Sequence, residues 1–433
     1  MNNKINYFTS LLLVFFSVGY FIYGFIIGEN SAGAGGYTGD FKFTWTNLQI
    51  YLNNDLASAI QSQDYYSNRS PLAYIIHKFF NPFTDNQFNF RLSVFFVSLF
   101  IPVLLFLTLV LKYKEVNIFI LLVLSSIIFF SPYVRTSGYW ALEENYGLIS
   151  TLAACIFYNL FLNKKNNKIL YLTFVIFFSS CSIYFDIKFL IFPLIIFIKI
   201  FFSKENKAYK LYMLLLYFVF SIPYLFLIYI WGGIFSPKAS KTHSLESGLY
   251  LDHLVYVFPI VSLYILPFIF LRTKNIFSEI KENLFKNFNI AIIALFLLIL
   301  IYTVFFYTPI ELDYHSNIGK GFIFKIGSIF LKEQLFQNIF FIVCSLVSLV
   351  ILLIYLKKNI NDWMIVFYYI LLSLVTYPLL QEYFDPLIFL MVIIFFNTKI
   401  NFNYRSVYFL YSYFLLMNFF AKFYYSFLIN ISL

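Results

Sequence analysis

Charged residues are scarce in this sequence. Of its 433 residues, 12% are charged and 61% are hydrophobic, and the mean hydropathy is +0.80. A typical soluble domain is about one quarter charged, and a soluble fold of this size could not keep so much apolar surface away from water. The composition therefore excludes an ordinary soluble domain and predicts an integral membrane protein.

Cysteine is also rare. The sequence has three cysteines, and each of them lies inside an apolar run. Their spacing is typical neither of a metal site nor of a disulfide framework. We therefore interpret them as small residues of the core or of the lipid-facing surface.

Long apolar runs recur along the whole chain. About 13 of them approach the roughly 17–25 residues that a membrane span requires. The sequence therefore predicts an all-α, polytopic transmembrane helical bundle. The first run is also compatible with a signal peptide, because Ala32-Gly33-Ala34 resembles a cleavage site, but its length favours a span. The runs at 187–203 and 384–397 are short enough to be re-entrant or tilted. The runs lie near 7–28, 88–111, 116–134, 146–162, 168–185, 187–203, 209–231, 250–271, 289–307, 336–356, 362–380, 384–397 and 406–430.

The charges are distributed unevenly between alternate loops. One set of loops holds about 18 basic residues and about 5 of the 20 acidic ones. The positive-inside rule places these loops, and the N-terminus, in the cytoplasm. The net charge of +10 is thus an orientation signal, and the absence of a basic stripe excludes a nucleic-acid binder. The outer segments are then 29–87, 132–145, 232–249 and 308–335.

The first outer segment begins with a glycine-rich turn that ends at Asp40. Asp40 is a candidate site residue at the membrane surface, or alternatively the N-cap of the helix that follows. Apolar residues recur at helical spacing from Trp45 to Ile60, which predicts a helix lying on the membrane surface. Ser70 and Pro71 are typical of a helix start, so a second short helix should precede the next span.

The second outer segment contains Arg135 and the adjacent pair Glu143 and Glu144. Two neighbouring carboxylates at the start of a span are costly to remove from water. They require a cation, an arginine or a bound substrate as partner. Two interpretations stay open: Arg135 forms a structural ion pair with these carboxylates, or the three residues belong to a functional site.

These two segments, in this order and on this face, resemble the GT-C superfamily of membrane glycosyltransferases. The resemblance is to the branch of the dolichyl-phosphate-mannose protein mannosyltransferases and the aminoarabinose transferases. Asp40 resembles the acidic residue that follows the first span, and Ser70-Pro71-Leu72-Ala73-Tyr74 resembles the family's Pro-Pro-Leu-x-Tyr segment. The usual Asp-Glu pair is here Asp40-Phe41, and the lysine before the proline segment is absent, with Arg69 nearby.

The resemblance covers roughly the first 200 residues and divides the chain into two parts. Residues 1–203 would form an N-terminal transmembrane module that carries the catalytic outer loops. Residues 204–433 would form variable C-terminal transmembrane helices. The expected location is the inner (plasma) membrane of a bacterium, with the active site facing the periplasm or the exterior.

The resemblance implies transfer of a sugar from a polyprenyl-phosphate-linked donor to a glycan, lipid or protein acceptor. Asp40 would act as general base on the acceptor hydroxyl, and Glu143 and Glu144 would form a second acidic site. The leaving phosphate needs cations, and arginine can bind phosphate through two hydrogen bonds. The candidate donor phosphate-binding residues are Arg69, Arg135 and Lys188, the last of which could instead pair with Asp186.

The later outer segments offer weaker candidates. His243, Gln381 and Glu382 could line a substrate pocket, although the segment around His243 could equally be a solvated lid. His315 lies near Glu311 and Asp313, but this spacing alone is weak support for a metal, so no cofactor is certain and a divalent cation is only possible. Two other function classes stay open: a flippase or transporter of lipid-linked sugars, and a polysaccharide polymerase outside the GT-C superfamily.

Overall fold

The structure is a computed structural model and is entirely helical in its described secondary structure. No strand occurs among the described residues. Helices form here because a backbone in lipid must satisfy its hydrogen bonds within its own segment. The described residues are 2–30, 39–67, 69–164, 166–242, 249–272, 287–307, 319–356, 359–376, 378–397 and 400–425.

The chain divides into two compact units, residues 1–245 and 246–433. The predicted module 1–203 falls within the first unit. The helices of this unit are α1 (Asn2–Ile26), α2 (Phe41–Asn53), α3 (Leu56–Gln61), α4 (Leu72–Phe80), α5 (Gln87–Ser98), α6 (Phe100–Lys112), α7 (Ile118–Ser126), α8 (Pro132–Tyr139), α9 (Glu144–Asn163), α10 (Lys168–Phe185), α11 (Ile191–Phe201), α12 (Lys207–Trp231) and α13 (Pro237–Thr242). Short 3-10 helices at Ile127–Phe130 and Ile187–Leu190 precede α8 and α11.

The second unit, like the first, consists of helices of different lengths. Its α-helices are α14 (Leu254–Arg272), α15 (Asn287–Phe305), α16 (Gly321–Phe330), α17 (Gln334–Leu356), α18 (Ile360–Val375), α19 (Leu387–Leu390) and α20 (Tyr404–Phe423). One-turn 3-10 helices lie at Leu251–His253 and Gln381–Tyr383, and a π-helix covers Met391–Phe395.

Seven helices of the described residues are long and apolar enough to cross a membrane, which agrees with an integral membrane protein. A bent pair, Ile118–Phe130 with Pro132–Tyr139, would make eight, and its two parts meet at 68°. The larger count of about 13 spans is not reached by these criteria and stays a prediction. The seven helices are Lys4–Ile26, Gln87–Lys112, Glu144–Asn163, Lys168–Phe185, Lys207–Trp231, Leu251–Leu271 and Gln334–Leu356.

Two of the predicted runs are broken in the structure. Run 187–203 becomes a 3-10 turn followed by α11, which has 11 residues, and run 384–397 contains α19 followed by a π-helix. At 1.5 Å per residue, α11 is about 17 Å long, whereas the hydrocarbon core is about 30 Å thick. By itself α11 is therefore too short for a full span.

The first outer segment folds close to its prediction, with one difference. The predicted surface helix from Trp45 to Ile60 is two helices, α2 and α3, because Asn54 is extended and Asp55 caps α3 by accepting a hydrogen bond from the Ser58 amide. The predicted helix after Ser70 is α4, which begins at Leu72. The short helices α2, α3 and α4 thus connect the first long helix, α1, to α5.

Candidate functional site

Four charged residues meet where three helices of the first unit begin or end. Arg69 precedes α4, Glu144 is the first residue of α9, and Asp186 and Lys188 follow α10. The Arg69 Nη2 atom lies 2.8 Å from Glu144 Oε1 and 3.1 Å from Asp186 Oδ2. The Lys188 Nζ atom lies 3.5 Å from Asp186 Oδ2 and 3.9 Å from Glu144 Oε1. We call these four residues the ion-pair cluster.

Hydrogen bonds fix the backbone around the ion-pair cluster. The Ser70 hydroxyl donates to the Tyr184 carbonyl at 2.7 Å, which ties the start of α4 to the end of α10. Asp186 also accepts a hydrogen bond from the Lys188 amide at 3.0 Å, and the Ser137 hydroxyl donates to Glu144 Oε2 at 3.2 Å. The alternative partner considered for Lys188, Asp186, is therefore present, but Lys188 also faces Glu144.

Asp40 lies immediately before α2 but does not cap it. Its backbone is already helical and its side chain makes no capping hydrogen bond, so the alternative interpretation as an N-cap is wrong. The side chain is exposed to solvent. The surrounding protein nevertheless raises the pKa of Asp40, and the charge of Glu144 raises it further, whereas Arg69 and Lys188 lower it. Asp40 thus shares the electrostatic environment of the ion-pair cluster.

Glu143 is next to this cluster in sequence but lies in a different environment. Its side chain is 4% exposed, and its Oε2 atom is buried with no hydrogen-bond partner among the described residues. Burial raises the pKa of Glu143 to about 7, against the lowering effects of the Arg69 charge and of a hydrogen bond with Tyr74. The two glutamates, which the sequence analysis treated as one acidic site, are therefore physically distinct.

Three buried tyrosines surround this region. The sequence analysis named Tyr74 as part of the Pro-Leu-x-Tyr-like segment but assigned it no role, and it missed Tyr51 and Tyr65. The ring of Tyr51 lies 5.3 Å from that of Tyr65 and 5.5 Å from that of Tyr74. Burial raises the pKa of Tyr74, and the neighbouring Glu143 carboxyl raises it further. The hydroxyls of Tyr51 and Tyr65 are buried without a hydrogen-bond partner in the described part of the chain. With 37 tyrosines in the sequence, nothing distinguished Tyr51 and Tyr65 from the rest.

Arg135 belongs to another ion pair. Its guanidinium is fully buried and binds both carboxylate oxygens of Glu29 at 2.7 Å, with further hydrogen bonds to the carbonyls of Phe129 and Tyr20. Of the two interpretations that the sequence left open, the structural ion pair of Arg135 with Glu143 and Glu144 is wrong, because α8 turns Arg135 towards the end of α1. Glu29 was not a candidate in the sequence analysis, although a carboxylate directly after a span was a usable signal.

The third outer segment is attached to the first. The Ser236 hydroxyl donates to the Tyr65 carbonyl at 2.9 Å and accepts from the Ser67 amide at 2.8 Å. The Lys238 amide donates to the same Tyr65 carbonyl at 3.2 Å. These three hydrogen bonds fix the position of the chain just before Arg69. His243 lies outside the described residues, so its predicted place in a substrate pocket is untested.

Gln381 and Glu382 belong to the second unit. Gln381 Oε1 accepts a hydrogen bond from the Phe322 amide at 2.9 Å, and its Nε2 donates to the Tyr264 hydroxyl at 3.0 Å. Both ends of this side chain therefore support the fold of the second unit. Glu382 is half-buried in the same 3-10 turn.

The described residues contain no group of three or more histidine, cysteine, aspartate or glutamate side chains that could hold a metal ion. Glu311, Asp313 and His315, considered for such a site, lie outside these residues. What the first unit offers is an accessible carboxylate, Asp40, within electrostatic range of two cations, Arg69 and Lys188, that are paired with Glu144 and Asp186. No protein-family model, no curated protein and no solved structure matches this chain.

Proposed function

We propose that this protein is a glycosyltransferase that moves a sugar from a polyprenyl-phosphate-linked donor to a glycan, lipid or protein acceptor. The observation that carries the proposal is the position of Asp40. Its carboxylate is exposed, makes no capping hydrogen bond, and lies within electrostatic reach of Arg69, Lys188 and Glu144. A base beside two cations is what transfer from a phosphate leaving group requires.

The reaction uses these groups in one step. The acceptor hydroxyl oxygen attacks the anomeric carbon of the sugar, and its proton passes to Asp40. The bond between that carbon and the phosphate oxygen breaks, and the phosphate departs with the electron pair. Arg69 and Lys188 stabilise the charge that develops on the leaving phosphate. Arg69 suits this role because its side chain is 29% exposed, whereas that of Lys188 is 6% exposed.

The membrane arrangement supports the same proposal. Asp40, Arg69 and Glu144 lie in or beside segments that the basic residues of the alternate loops place outside the cytoplasm. The isoprenoid tail of the donor would remain in the bilayer beside the helices. The finer expectations belong to this proposal: a GT-C-like arrangement, about 13 spans, a cytoplasmic N-terminus and residence in a bacterial plasma membrane.

The test follows the labelled sugar. Membranes that contain the protein are supplied with polyprenyl phosphates carrying radiolabelled glucose, mannose or aminoarabinose, and carrier-linked label is separated from transferred label. We expect label to leave the carrier and to appear on an acceptor, together with free polyprenyl phosphate. A flippase would instead move the intact donor between leaflets. Label that remains on the carrier with all three sugars would contradict the transferase.

A further inference from the structure

The site carries more negative than positive groups. The described residues of this region provide two cations and four carboxylates, which give a net charge of −2 when all of them are ionised. The cations are Arg69 and Lys188, and the carboxylates are Asp40, Glu143, Glu144 and Asp186. Both cations already lie close to carboxylates, so their positive charge is partly neutralised before any anion binds.

A phosphodiester that enters this site adds a further negative charge. At a separation of 4 Å near a protein surface, two like charges repel by about 4 kcal/mol. This repulsion opposes the attraction of the two cations, so binding is strengthened if the site loses a negative charge or gains a positive one as the phosphodiester enters. Protonation of a carboxylate removes one negative charge from the site.

The four carboxylates are not equally suited to accept this proton. Glu144 and Asp186 lie 2.8 Å and 3.1 Å from the Arg69 guanidinium, and their protonation would weaken those ion pairs. Asp40 is exposed to water and is needed as the base. Glu143 is 4% exposed and has a buried Oε2 atom without a partner in the described residues. Its ionised form is the least well supported of the four.

We propose that Glu143 takes up a proton when a phosphodiester anion binds beside Arg69 and Lys188. The inference rests on the proposed function, because it places the donor phosphate at these cations. The pKa of about 7 that burial gives to Glu143 supports it, since the group is then partly ionised near neutral pH. The groups that face Glu143 are Tyr51 from α2, Tyr65 and Arg69 from the loop before α4, Tyr74 from α4, Glu144 from α9 and Asp186 after α10.

The hydrogen bonding of Glu143 is compatible with this exchange. Its buried Oε2 atom can carry the proton, while the Tyr74 hydroxyl, which interacts with the carboxyl group, can remain in place. Protonation of Glu143 would thus reduce the negative charge of the site when the anion binds. Phosphodiester binding should therefore weaken as pH rises above about 7.

Isothermal titration calorimetry of the full-length protein in detergent tests this inference. The probe is farnesyl methyl phosphate, a phosphodiester with one charge throughout the neutral range, titrated in two buffers of different ionisation enthalpy. At about pH 7.5 we expect the protein to take up roughly half to three quarters of a proton for each diester bound, because Glu143 is already partly protonated at that pH. Glu143→Gln should bind the diester at least as tightly with no proton uptake. The control Glu115→Gln, at an exposed loop position, should behave like the unmodified protein.

Three results would overturn the inference: binding without proton uptake, uptake that persists in Glu143→Gln, or no binding of the diester. The sugar-transfer assay separates this inference from the proposed function. Proton-linked diester binding without transfer of any sugar would leave the inference standing and remove the transferase. Transfer without proton uptake would do the reverse.

Discussion

The Arg69 Nη2 atom donates a hydrogen bond of 2.8 Å to Glu144 Oε1 across 75 positions of sequence. This contact joins the first outer segment to the second, and the 3.1 Å approach of the same nitrogen to Asp186 Oδ2 adds the end of α10. Three separate segments thus converge on one guanidinium. Arg69 has the more accessible side chain of the two cations, and its charge acts on the Asp40 carboxylate.

The first prediction concerns the shape of the Arg69 guanidinium. Arg69→Lys keeps the positive charge but loses the planar fork that can contact a carboxylate and a phosphate together. The loss of one charge-assisted hydrogen bond of about 1.5–3 kcal/mol should raise the KM for the donor roughly 10- to 100-fold. Initial rates at varied donor concentration measure this change. Lys114→Arg, at an exposed loop position, is the control, and an unchanged KM in Arg69→Lys would remove Arg69 from the donor site.

The second prediction separates Arg135 from the donor site. Arg135 and Glu29 form a buried pair with two 2.7 Å hydrogen bonds. Removal of one partner of such a pair costs about 3–5 kcal/mol because the other charge is left buried. Arg135→Gln and Glu29→Gln should therefore each lower the thermal unfolding temperature in detergent. The double variant should be more stable than the sum of the two losses predicts.

The kinetics of the same variants test whether this role is structural. The fraction of Arg135→Gln that remains folded at low temperature should keep the donor KM of the unmodified protein. A donor KM that rises together with the loss of stability would return Arg135 to the phosphate-binding residues.

The third prediction concerns the pH dependence of stability. The pKa of Glu143 rises from 4.5 to about 7 in the folded protein, so folding disfavours its ionised form. Stability should be unaffected by this group below about pH 4.5, should fall as pH rises towards 7, and should be lower by on the order of 3 kcal/mol above that. Thermal unfolding in detergent should show a smaller decline between about pH 5 and 8 in Glu143→Gln. If the unfolding temperatures of the two proteins change with pH in the same way, burial does not disfavour the ionised form of Glu143.

The fourth prediction concerns the pH profile of transfer. Asp40 must be ionised to act as a base, and its pKa is raised above 3.8 chiefly because the surrounding protein limits the hydration of the carboxylate, so kcat/KM should rise with pH on an acidic limb above that value. Donor binding that requires protonated Glu143 adds an alkaline limb near pH 7. Glu143→Gln should lose the alkaline limb and keep the acidic one. A profile in which both limbs survive this substitution would disconnect Glu143 from donor binding.

The sequence predicted the class of fold well and the pairing of charges only in part. Composition and run length predicted an all-helical membrane chain, because lipid leaves an isolated segment few other conformations. The secondary structure of the described residues is helical, and seven of their helices are long and apolar enough to cross a membrane. Asp40, Arg69, Glu144 and Lys188 were candidates from the sequence and the family resemblance. The structure brings Arg69, Glu144 and Lys188 together, and Asp40 lies within their electrostatic range. Their catalytic and binding roles stay predictions.

The errors arose where partners are far apart in sequence. One interpretation paired Arg135 with glutamates of its own loop, but α8 directs it to Glu29, 106 positions away. The different environments of Glu143 and Glu144 depend on where α9 begins, since one residue packs against Tyr74 and the next faces Arg69. Sequence spacing alone predicts neither the partner of Arg135 nor the different environments of Glu143 and Glu144.

The most direct measurement is sugar transfer by Asp40→Asn. Asparagine keeps the size of the side chain but cannot accept the acceptor proton, so the rate should fall by roughly 10²- to 10⁴-fold. Binding of farnesyl methyl phosphate should persist, because Arg69 and Lys188 remain. Asp55→Asn, at an exposed cap of α3 in the same segment, should transfer at the unmodified rate. If Asp40→Asn transfers label from the polyprenyl carrier as fast as the unmodified protein, Asp40 is not the base and the proposed active site is wrong.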